Sequence, residues 1–183
     1  RIQGQVPGPK RRRAGERSTW ADILAVSVEH PIPVLGAGLA GSEAAWQIAE
    51  AGFAVKLFEM RPHVPTPAHR TPLCAELVCS NSLGSNLPDR GGGLLQMELE
   101  ALDCRLLAVA RESAVPAGSA LAVDRDIFAE KVTRALEAHP LIEIVREEAP
   151  RVPDDPVVVV LGGDQLLAVI TGHPVAVRWE ARS

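Results

Sequence analysis

Aromatic side chains are scarce in this chain, and patterns typical of metal sites or disulfides are missing. Only 3% of the residues are aromatic and tyrosine is absent, which argues against a stacking platform for single-stranded nucleic acid. Cys74, Cys79 and Cys104 have no paired spacing, so we expect reduced thiols in a cytoplasmic protein and no bound metal. No apolar run approaches the length of a membrane span, so we expect no membrane segment.

Charge and length narrow the possibilities further. The net charge of −4 argues against a dedicated nucleic-acid module, although a local basic patch is compatible with it. Residues 10–13 form such a patch, and no apolar segment follows it as in a signal peptide. We interpret residues 1–30 as a disordered tail, with an RNA-binding arm as the alternative. The 183 residues, 46% of them hydrophobic, suffice for one domain of ordinary size.

The most informative feature is a glycine-rich segment, residues 36–41, which read Gly-Ala-Gly-Leu-Ala-Gly. A short apolar stretch precedes it, and a helix-like run from Ser42 to Glu50 follows. A second apolar run then ends at Glu59. This order predicts a βαβ unit with an acid about 20 residues beyond the glycines, as in dinucleotide-binding proteins.

Each position of this unit has a physical role in a dinucleotide site. Gly36 permits the tight turn, Gly38 lets a pyrophosphate approach the backbone, and Gly41 lets helix and strand pack closely. The helix N-terminus offers unpaired N–H groups and partial positive charge to the phosphates. Glu59 can accept hydrogen bonds from the adenosine ribose, which favours FAD or NAD over a 2′-phosphorylated cofactor. The alternative is a glycine-rich turn without a ligand.

The rest of the chain predicts the elements of an α/β domain. We place the first strand at Pro33 to Gly36, because a proline cannot donate to a neighbouring strand. Further along, the patterns predict an apolar strand before Cys79 and a helix from Leu94 to about Arg111. Two short strands should flank a turn at Pro116 to Gly118, and a helix capped by Asp124 should run from Arg125 to Ala138 with Ile127 facing inward. A strand with Ile142 and Ile144 and a buried strand at Val157 to Leu161 should follow.

Several segments resemble one family of bacterial enzymes. The matching stretches are Gly36 to Trp46, Glu59-Met60-Arg61-Pro62, Thr66-Pro67-Ala68-His69, Ala75 to Leu83 (Ala-Glu-Leu-Val-Cys-Ser-Asn-Ser-Leu), Val115 to Gly118 and Ala120 to Arg125. They are similar to segments of the folate- and FAD-dependent tRNA (uracil-5-)-methyltransferases, the TrmFO family. The resemblance covers about residues 34–160.

This resemblance implies a function, cofactors and partners. Family members use reduced FAD and methylenetetrahydrofolate to methylate C5 of a T-loop uridine in tRNA, with NADH or NADPH reducing the flavin. The implied fold is a Rossmann-like FAD/NAD(P)-binding domain with a parallel sheet, here incomplete. The residues expected to bind the cofactor are Gly36, Ala37, Gly38, Leu39, Ala40, Gly41, Glu59 and Arg61.

Cys79 is the residue that the resemblance implicates in catalysis. A thiolate can attack C6 of uracil and make C5 nucleophilic, provided that its pKa is lowered. A buried, inert cysteine is the alternative from the residues alone, and Cys74 and Cys104 match no family position. His69 is a further candidate for a contact with cofactor or substrate, with an ordinary solvated loop histidine as its alternative.

The chain departs from the family pattern in several places. Gly84 stands where arginine is usual, Ser119 replaces a glycine, and an Ala-Thr-Gly segment is not recognisable after Leu161. We therefore divide the chain into a tail (1–30), a partial FAD-binding α/β domain (31–163) and a second unmatched tail (164–183). The alternatives are a truncated flavin-binding fragment without turnover, and a Gid-type flavoprotein that modifies wobble uridines.

Overall fold

A computed structural model describes residues 30–149 and 159–160 of the chain. The predictions for residues 1–29, 150–158 and 161–183, including most of the strand expected at Val157 to Leu161, lie outside these ranges. The elements, in chain order, are β1 (Ile32–Leu35), α1 (Leu39–Glu50), β2 (Val55–Phe58), β3 (Ser82–Ser85), α2 (Gly91–Ala101), α3 (Arg105–Glu112), β4 (Ala114–Val115), β5 (Ala120–Val123), α4 (Arg125–Ala138), β6 (Ile142–Val145) and β7 (Val159–Val160).

The main sheet is parallel and has the strand order β6-β2-β1-β7. Strand β1 pairs with β2 from Ile32↔Val55 to Leu35↔Phe58, and β2 pairs with β6 along its whole length. The predicted first strand was wrong by one residue at each end. Strand β1 begins before Pro33, because the Ile32 N–H already donates to Ala54 O at 2.7 Å.

Helices α1 and α4 pack against this sheet, and α3 packs against both of these helices. Val34, Leu57, Phe128, Val132 and Leu136 are all inaccessible to solvent and belong to one core cluster. The βαβ unit and the α4 helix are confirmed. Ile127, expected to face inward, is 47% exposed, because Phe128 and Ala129 take the buried side of the first turn.

A second, antiparallel sheet has the order β3-β5-β4. The predicted turn between β4 and β5 is confirmed: Gly118 has a φ of +63°, and the Ala120 N–H donates to Ala117 O at 3.2 Å. Leu106 and Leu107 of α3 and Leu121 and Val123 of β5 belong to the same core cluster as the main sheet.

Two predicted elements are wrong. The helix expected from Leu94 to Arg111 is two helices, because the chain turns at Asp103, which has a φ of +58°. Leu102, which directly follows the first of these helices, is 73% exposed. The strand expected just before Cys79 is absent: residues 59–81, all of them described, contain no helix or strand, and Ala75 has a φ of +53°.

Among the described residues, no helix combines the length and the apolar character that crossing a membrane requires.

Candidate functional site

The glycine loop, residues 36–41, connects the carboxyl end of β1 to α1. Gly36 has a φ of +98°, a conformation that suits glycine, and its N–H donates to Phe58 O at 2.9 Å. Gly38 is the N-cap residue of α1, and the helix begins at Leu39. The loop thus lies at the carboxyl edge of the parallel sheet, where open α/β sheets bind ligands.

The N-terminus of α1 is left open. Gly38 has no side chain to cap the helix, and the first turn carries no acidic residue. A Cβ built on Gly38 would have no atom within 4 Å, so there is free space directly in front of the backbone. The first N–H groups of a helix carry partial positive charge, and this end therefore fits the diphosphate of a dinucleotide.

Ala37 is held on both sides of its backbone. Its N–H donates to Glu59 Oε2 at 3.2 Å. Its carbonyl oxygen accepts from Ser42 Oγ at 3.1 Å and from the Ala75 N–H at 2.8 Å. The glycine loop is therefore fixed before any ligand arrives, which is the preorganisation that lowers the cost of binding.

Glu59 directly follows β2 and is buried, with 5% of its surface exposed. Its Oε1 accepts from Arg61 N and Nε, and its Oε2 accepts from Ala37 N and Arg61 Nη2. Burial opposes ionisation of this carboxyl, but the hydrogen bonds and charge of Arg61 outweigh it and lower the pKa of Glu59. All four acceptor positions of the carboxylate are engaged, so a ribose hydroxyl would have to share or replace one of these bonds.

Arg61 is also buried, with 4% of its surface exposed. Besides its bonds to Glu59, its Nη1 donates to Glu76 Oε2 at 2.9 Å and to Thr71 O at 3.0 Å, and its Nη2 donates to Leu73 O at 3.2 Å. These contacts engage all five N–H groups of the guanidinium. The assignment of Arg61 to cofactor binding stays a prediction, and in this structure its side chain serves the protein.

Cys79 is exposed and lies on a short segment that is held on either side. Arg125 Nη1 donates to Leu77 O at 3.4 Å, and Asn81 exchanges hydrogen bonds with Val123: the Val123 N–H donates to Asn81 O and Asn81 Nδ2 donates to Val123 O. The thiol is thus accessible on a backbone that the start of α4 and the end of β5 hold in place. Its catalytic role stays a prediction.

The other two cysteines have different surroundings. Cys74 is fully buried, and its N–H donates to Thr133 Oγ1 at 2.8 Å. Burial raises the pKa of the Cys74 thiol, and burial, together with Glu43, raises that of Cys104. Raised thiol pKa values disfavour thiolate chemistry at both positions.

His69 lies in a local turn of the 59–81 segment. Its ring Nδ1 is 2.6 Å from Thr66 Oγ1, and its backbone N–H donates to the same hydroxyl. A contact with cofactor or substrate stays a prediction for this residue. Among the described residues, no three side chains of His, Cys, Asp or Glu form a group that would hold a metal ion.

The sequence reasoning missed three residues that build the site: Ser42, Glu43 and Glu76. Glu43 Oε1 and Oε2 accept from the Arg105 and Leu106 N–H groups at 2.9 and 2.8 Å, which caps α3 from the side of α1. Ser42 and Glu76 lie in segments that carry the family resemblance, and that position is the only signal in the sequence for their roles.

A family model described as "Glucose inhibited division protein A" matches residues 31–176. The chain belongs to this family. The match covers most of the chain, begins directly after the segment interpreted as the first tail and extends into the segment interpreted as the second. The resemblance to TrmFO and Gid-type flavoproteins is thereby confirmed, whereas the division into a domain and two tails stays a prediction.

Relatives with assigned names agree with this family. The chain is 56% identical over 132 residues to the methylenetetrahydrofolate--tRNA-(uracil-5-)-methyltransferase TrmFO of Carboxydothermus hydrogenoformans, covering 72% of this chain and 30% of the relative. It is 51% identical over 134 residues to the protein of the same name from Bacillus subtilis, covering 73% and 31%. The chain therefore spans about 30% of the length of these relatives.

A solved structure supports the fold. The structure of Aquifex aeolicus GidA in its form II crystal superposes with a TM-score of 0.50 at 17% identity, covering 63% of this chain and 19% of that one. At this identity the likeness concerns the fold alone. With the parallel sheet order, it confirms the α/β, Rossmann-like prediction.

Proposed function

We propose that this chain is the FAD-binding portion of a methylenetetrahydrofolate--tRNA-(uracil-5-)-methyltransferase, which methylates C5 of the T-loop uridine in tRNA. The observation that carries the proposal is the open, preorganised N-terminus of α1. Gly38 there leaves free space, and Glu59 fixes the adjacent Ala37 amide. Relatives more than half identical to the chain carry the name of this enzyme.

The chain's own residues divide the work of holding FAD. The N–H groups of the first turn of α1, reached past Gly38, would receive the diphosphate, and the other residues of the glycine loop, Gly36, Ala37, Leu39, Ala40 and Gly41, would surround it. Glu59 would accept hydrogen bonds from the adenosine ribose by giving up or sharing one of its present bonds. When bound and reduced, FAD supplies the reducing power for methyl transfer from methylenetetrahydrofolate, and NADH or NADPH is the proposed source of that reduction.

Cys79 is the proposed catalytic residue. Its thiolate would add to C6 of the target uracil, and the electron pair of the C5–C6 double bond would then make C5 nucleophilic toward the one-carbon unit. The exposed side chain on a fixed backbone segment supports this role, because a nucleophile must be both accessible and oriented. The proposed partners are tRNA and folate, without a membrane or a metal, in the cytoplasm.

The first test measures methyl transfer by the 183-residue chain itself. We expect no useful formation of 5-methyluridine from unmodified tRNA, methylenetetrahydrofolate, NADH and FAD. The chain spans about 30% of its relatives, and a misplacement of about 1 Å can cost on the order of a hundredfold in rate. Flavin binding should nevertheless be detectable. Robust methylation by the chain alone would show that it is a complete enzyme.

The second test addresses Cys79 in a full-length relative that carries the same Ala-Glu-Leu-Val-Cys-Ser-Asn-Ser segment. The Cys→Ala change at the position matching Cys79 should abolish methyl transfer and leave flavin content and thermal stability near wild type, since the side chain is exposed. The matched control changes the neighbouring exposed serine, at the position of Ser80 in the same segment, to alanine and should keep the wild-type rate. Wild-type methylation rates in the first variant would remove Cys79 from the mechanism.

A non-catalytic flavin-binding fragment is the second candidate, and the small share of the relatives that the chain covers favours it. The two candidates differ in one observation. If a separately supplied remainder of a relative restores methylation by this chain, the catalytic interpretation holds. Modification of wobble uridines is a weaker alternative, because the GidA likeness concerns the fold alone.

A further inference from the structure

One buried arginine connects the glycine loop to the segment that leads into Cys79. Arg61 donates to Glu59 through Nε at 2.7 Å and through Nη2 at 3.0 Å. The same guanidinium donates to Glu76, three residues before Cys79, at 2.9 Å. It therefore bridges two carboxylates that lie in different parts of the candidate site.

Glu76 in turn organises the irregular segment around it. Its Oε1 accepts from the Arg70 N–H at 2.9 Å, and its Oε2 accepts from the Thr71 N–H at 3.2 Å and from Thr71 Oγ1 at 3.0 Å. Arg61 also binds the carbonyl oxygens of Thr71 and Leu73. Because residues 59–81 contain no helix or strand, these side-chain bonds replace the backbone ladder that would otherwise fix the segment.

The segment also contacts the glycine loop directly. The Ala75 N–H donates to Ala37 O at 2.8 Å, with Ala75 in a left-handed conformation at φ +53°. Such a conformation is unfavourable for a residue with a Cβ, so the surrounding contacts must impose it. A buried cluster of ion pairs contributes little to the free energy of unfolding. Its best-attested role is to favour one conformation of the surrounding chain over others.

We propose that Arg61 is a positioning residue whose guanidinium fixes residues 71–77, and through them Cys79, relative to the glycine loop. The proposal rests on the function proposed above, in which the glycine loop holds FAD and Cys79 acts on the uracil. It gives Arg61 and Glu76 a role in the reaction without a contact to the reacting atoms.

The experiment uses the full chain with Cys104→Ser, in which Cys79 is the exposed thiol and buried Cys74 reports loss of the core. Arg61→Lys keeps the charge but has at most three donors, so it cannot maintain all five bonds.

Amide hydrogen exchange across residues 70–77 should accelerate about tenfold, the factor expected for losing a hydrogen bond to a charged group. Labelling of Cys79 by a water-soluble maleimide should accelerate as well, with Cys74 still protected. Arg111→Lys, at an exposed ion pair with Glu100, is the matched control and should change neither rate.

A double-mutant cycle with Glu76→Gln separates positioning from a merely structural role. If Arg61 acts through Glu76, the effects of the two changes on Cys79 labelling should not add. Glu76→Gln alone leaves the Glu59–Arg61 pair intact and provides the same comparison if Arg61→Lys does not fold. The proposal would be overturned if hydrogen exchange in residues 70–77 were unchanged in Arg61→Lys, or if the effects of Arg61→Lys and Glu76→Gln on Cys79 labelling added. It would also be overturned if Cys74 were labelled as fast as Cys79.

A flavin arm keeps the failure of this proposal distinct from failure of the proposed function. FAD titrations, followed by flavin fluorescence, should show binding to the parent chain. Accelerated exchange without FAD binding by the parent would support the positioning role of Arg61 and refute the proposed flavin site. Normal FAD binding by the parent chain, with unchanged hydrogen exchange of residues 70–77 in Arg61→Lys, would support the proposed flavin site and refute the positioning role of Arg61.

Discussion

Helices α1 and α4 each begin just after a buried strand, yet their first turns are completed in different ways. Asp124 caps α4 with its own side chain, which accepts from the N–H groups of Asp126 and Ile127. Gly38 offers α1 no side chain and leaves open space. The fixed cap of α4 serves stability, whereas the open end of α1 is completed only by something from outside the chain.

Helix α3 shows a third arrangement. Cys104 provides no side-chain cap, and the Glu43 carboxylate of α1 accepts the first N–H groups instead. Helix α1 thus closes the end of its neighbour while its own end stays open. Whether the N-terminus of a helix is capped or open therefore depends on where the helix lies in the fold. Substitutions should be able to close the open end of α1 or open the capped end of α4.

The largest effect is expected from closing the open end. Gly38→Val should weaken FAD binding by on the order of a hundredfold, because overpacking the site costs about 3 kcal/mol. The fold should persist, since φ is −69° and no atom lies within 4 Å of the new Cβ. The measurement is a flavin titration beside a thermal melt. Gly91→Val, also in open space but at the start of α2, is the matched control, and normal flavin absorbance in purified Gly38→Val would refute the site.

An intermediate effect is expected from opening the closed end. Asp124→Ala should lower the free energy of unfolding by about 1–2 kcal/mol, the usual cost of a lost N-cap, and leave FAD affinity unchanged. Urea unfolding measures the first quantity and flavin titration the second. Asp124→Asn keeps an acceptor and should retain most of the stability. Equal losses in the two variants would mean that the carboxylate acts through its charge and not as a cap.

The smallest and most gradual effect is expected from acid. The pKa values of Glu59 and Glu76 are lowered in the fold, against the opposing influence of burial, by hydrogen bonds to Arg61 and Ala37 for the first and to Arg70 and Thr71 for the second. A carboxyl whose pKa is lowered by folding contributes its full stabilisation of the fold at pH values above its ordinary pKa of 4.5. That contribution is lost as the pH falls below it.

We therefore expect the unfolding free energy to be level near neutral pH and to decline below about pH 4.5. Glu76→Gln should reduce the steepness of this decline, because one of the two carboxyls can no longer bind a proton. Urea unfolding at a series of pH values measures both slopes. Identical slopes in wild type and Glu76→Gln would show that Glu76 does not contribute to the acid response.

Local signals were sufficient for part of this fold. Residues 36–59 combine turn glycines, a helix-forming run and two apolar stretches, and each signal agrees with the βαβ unit. Asp124 likewise precedes a clean helical pattern and was recognised as a cap. Helix α4 and the turn at Gly118 follow from signals within a few residues of each other.

The parts that could not be predicted depend on contacts between distant residues. The break before α3 is stabilised by Glu43, 62 residues away from Arg105, while the apolar spacing from Leu94 onward continued through the break. The segment before Cys79 has the composition of a strand, but Arg61 and Glu76 hold it in an irregular path. Glu59 was recognised from its spacing, whereas its pairing with Arg61 requires the tertiary structure.

The three consecutive glycines at the start of α2 look equivalent in the sequence, yet they have unequal mutational tolerance. A Cβ at Gly91 would meet nothing, one at Gly92 would lie 3.0 Å from Ser85 N, and one at Gly93 would overlap Leu87 O. The neighbouring atoms belong to the backbone, so they have little room to move. Gly91 therefore has room for a larger side chain, Gly92 has little room, and Gly93 has room for no side chain at all.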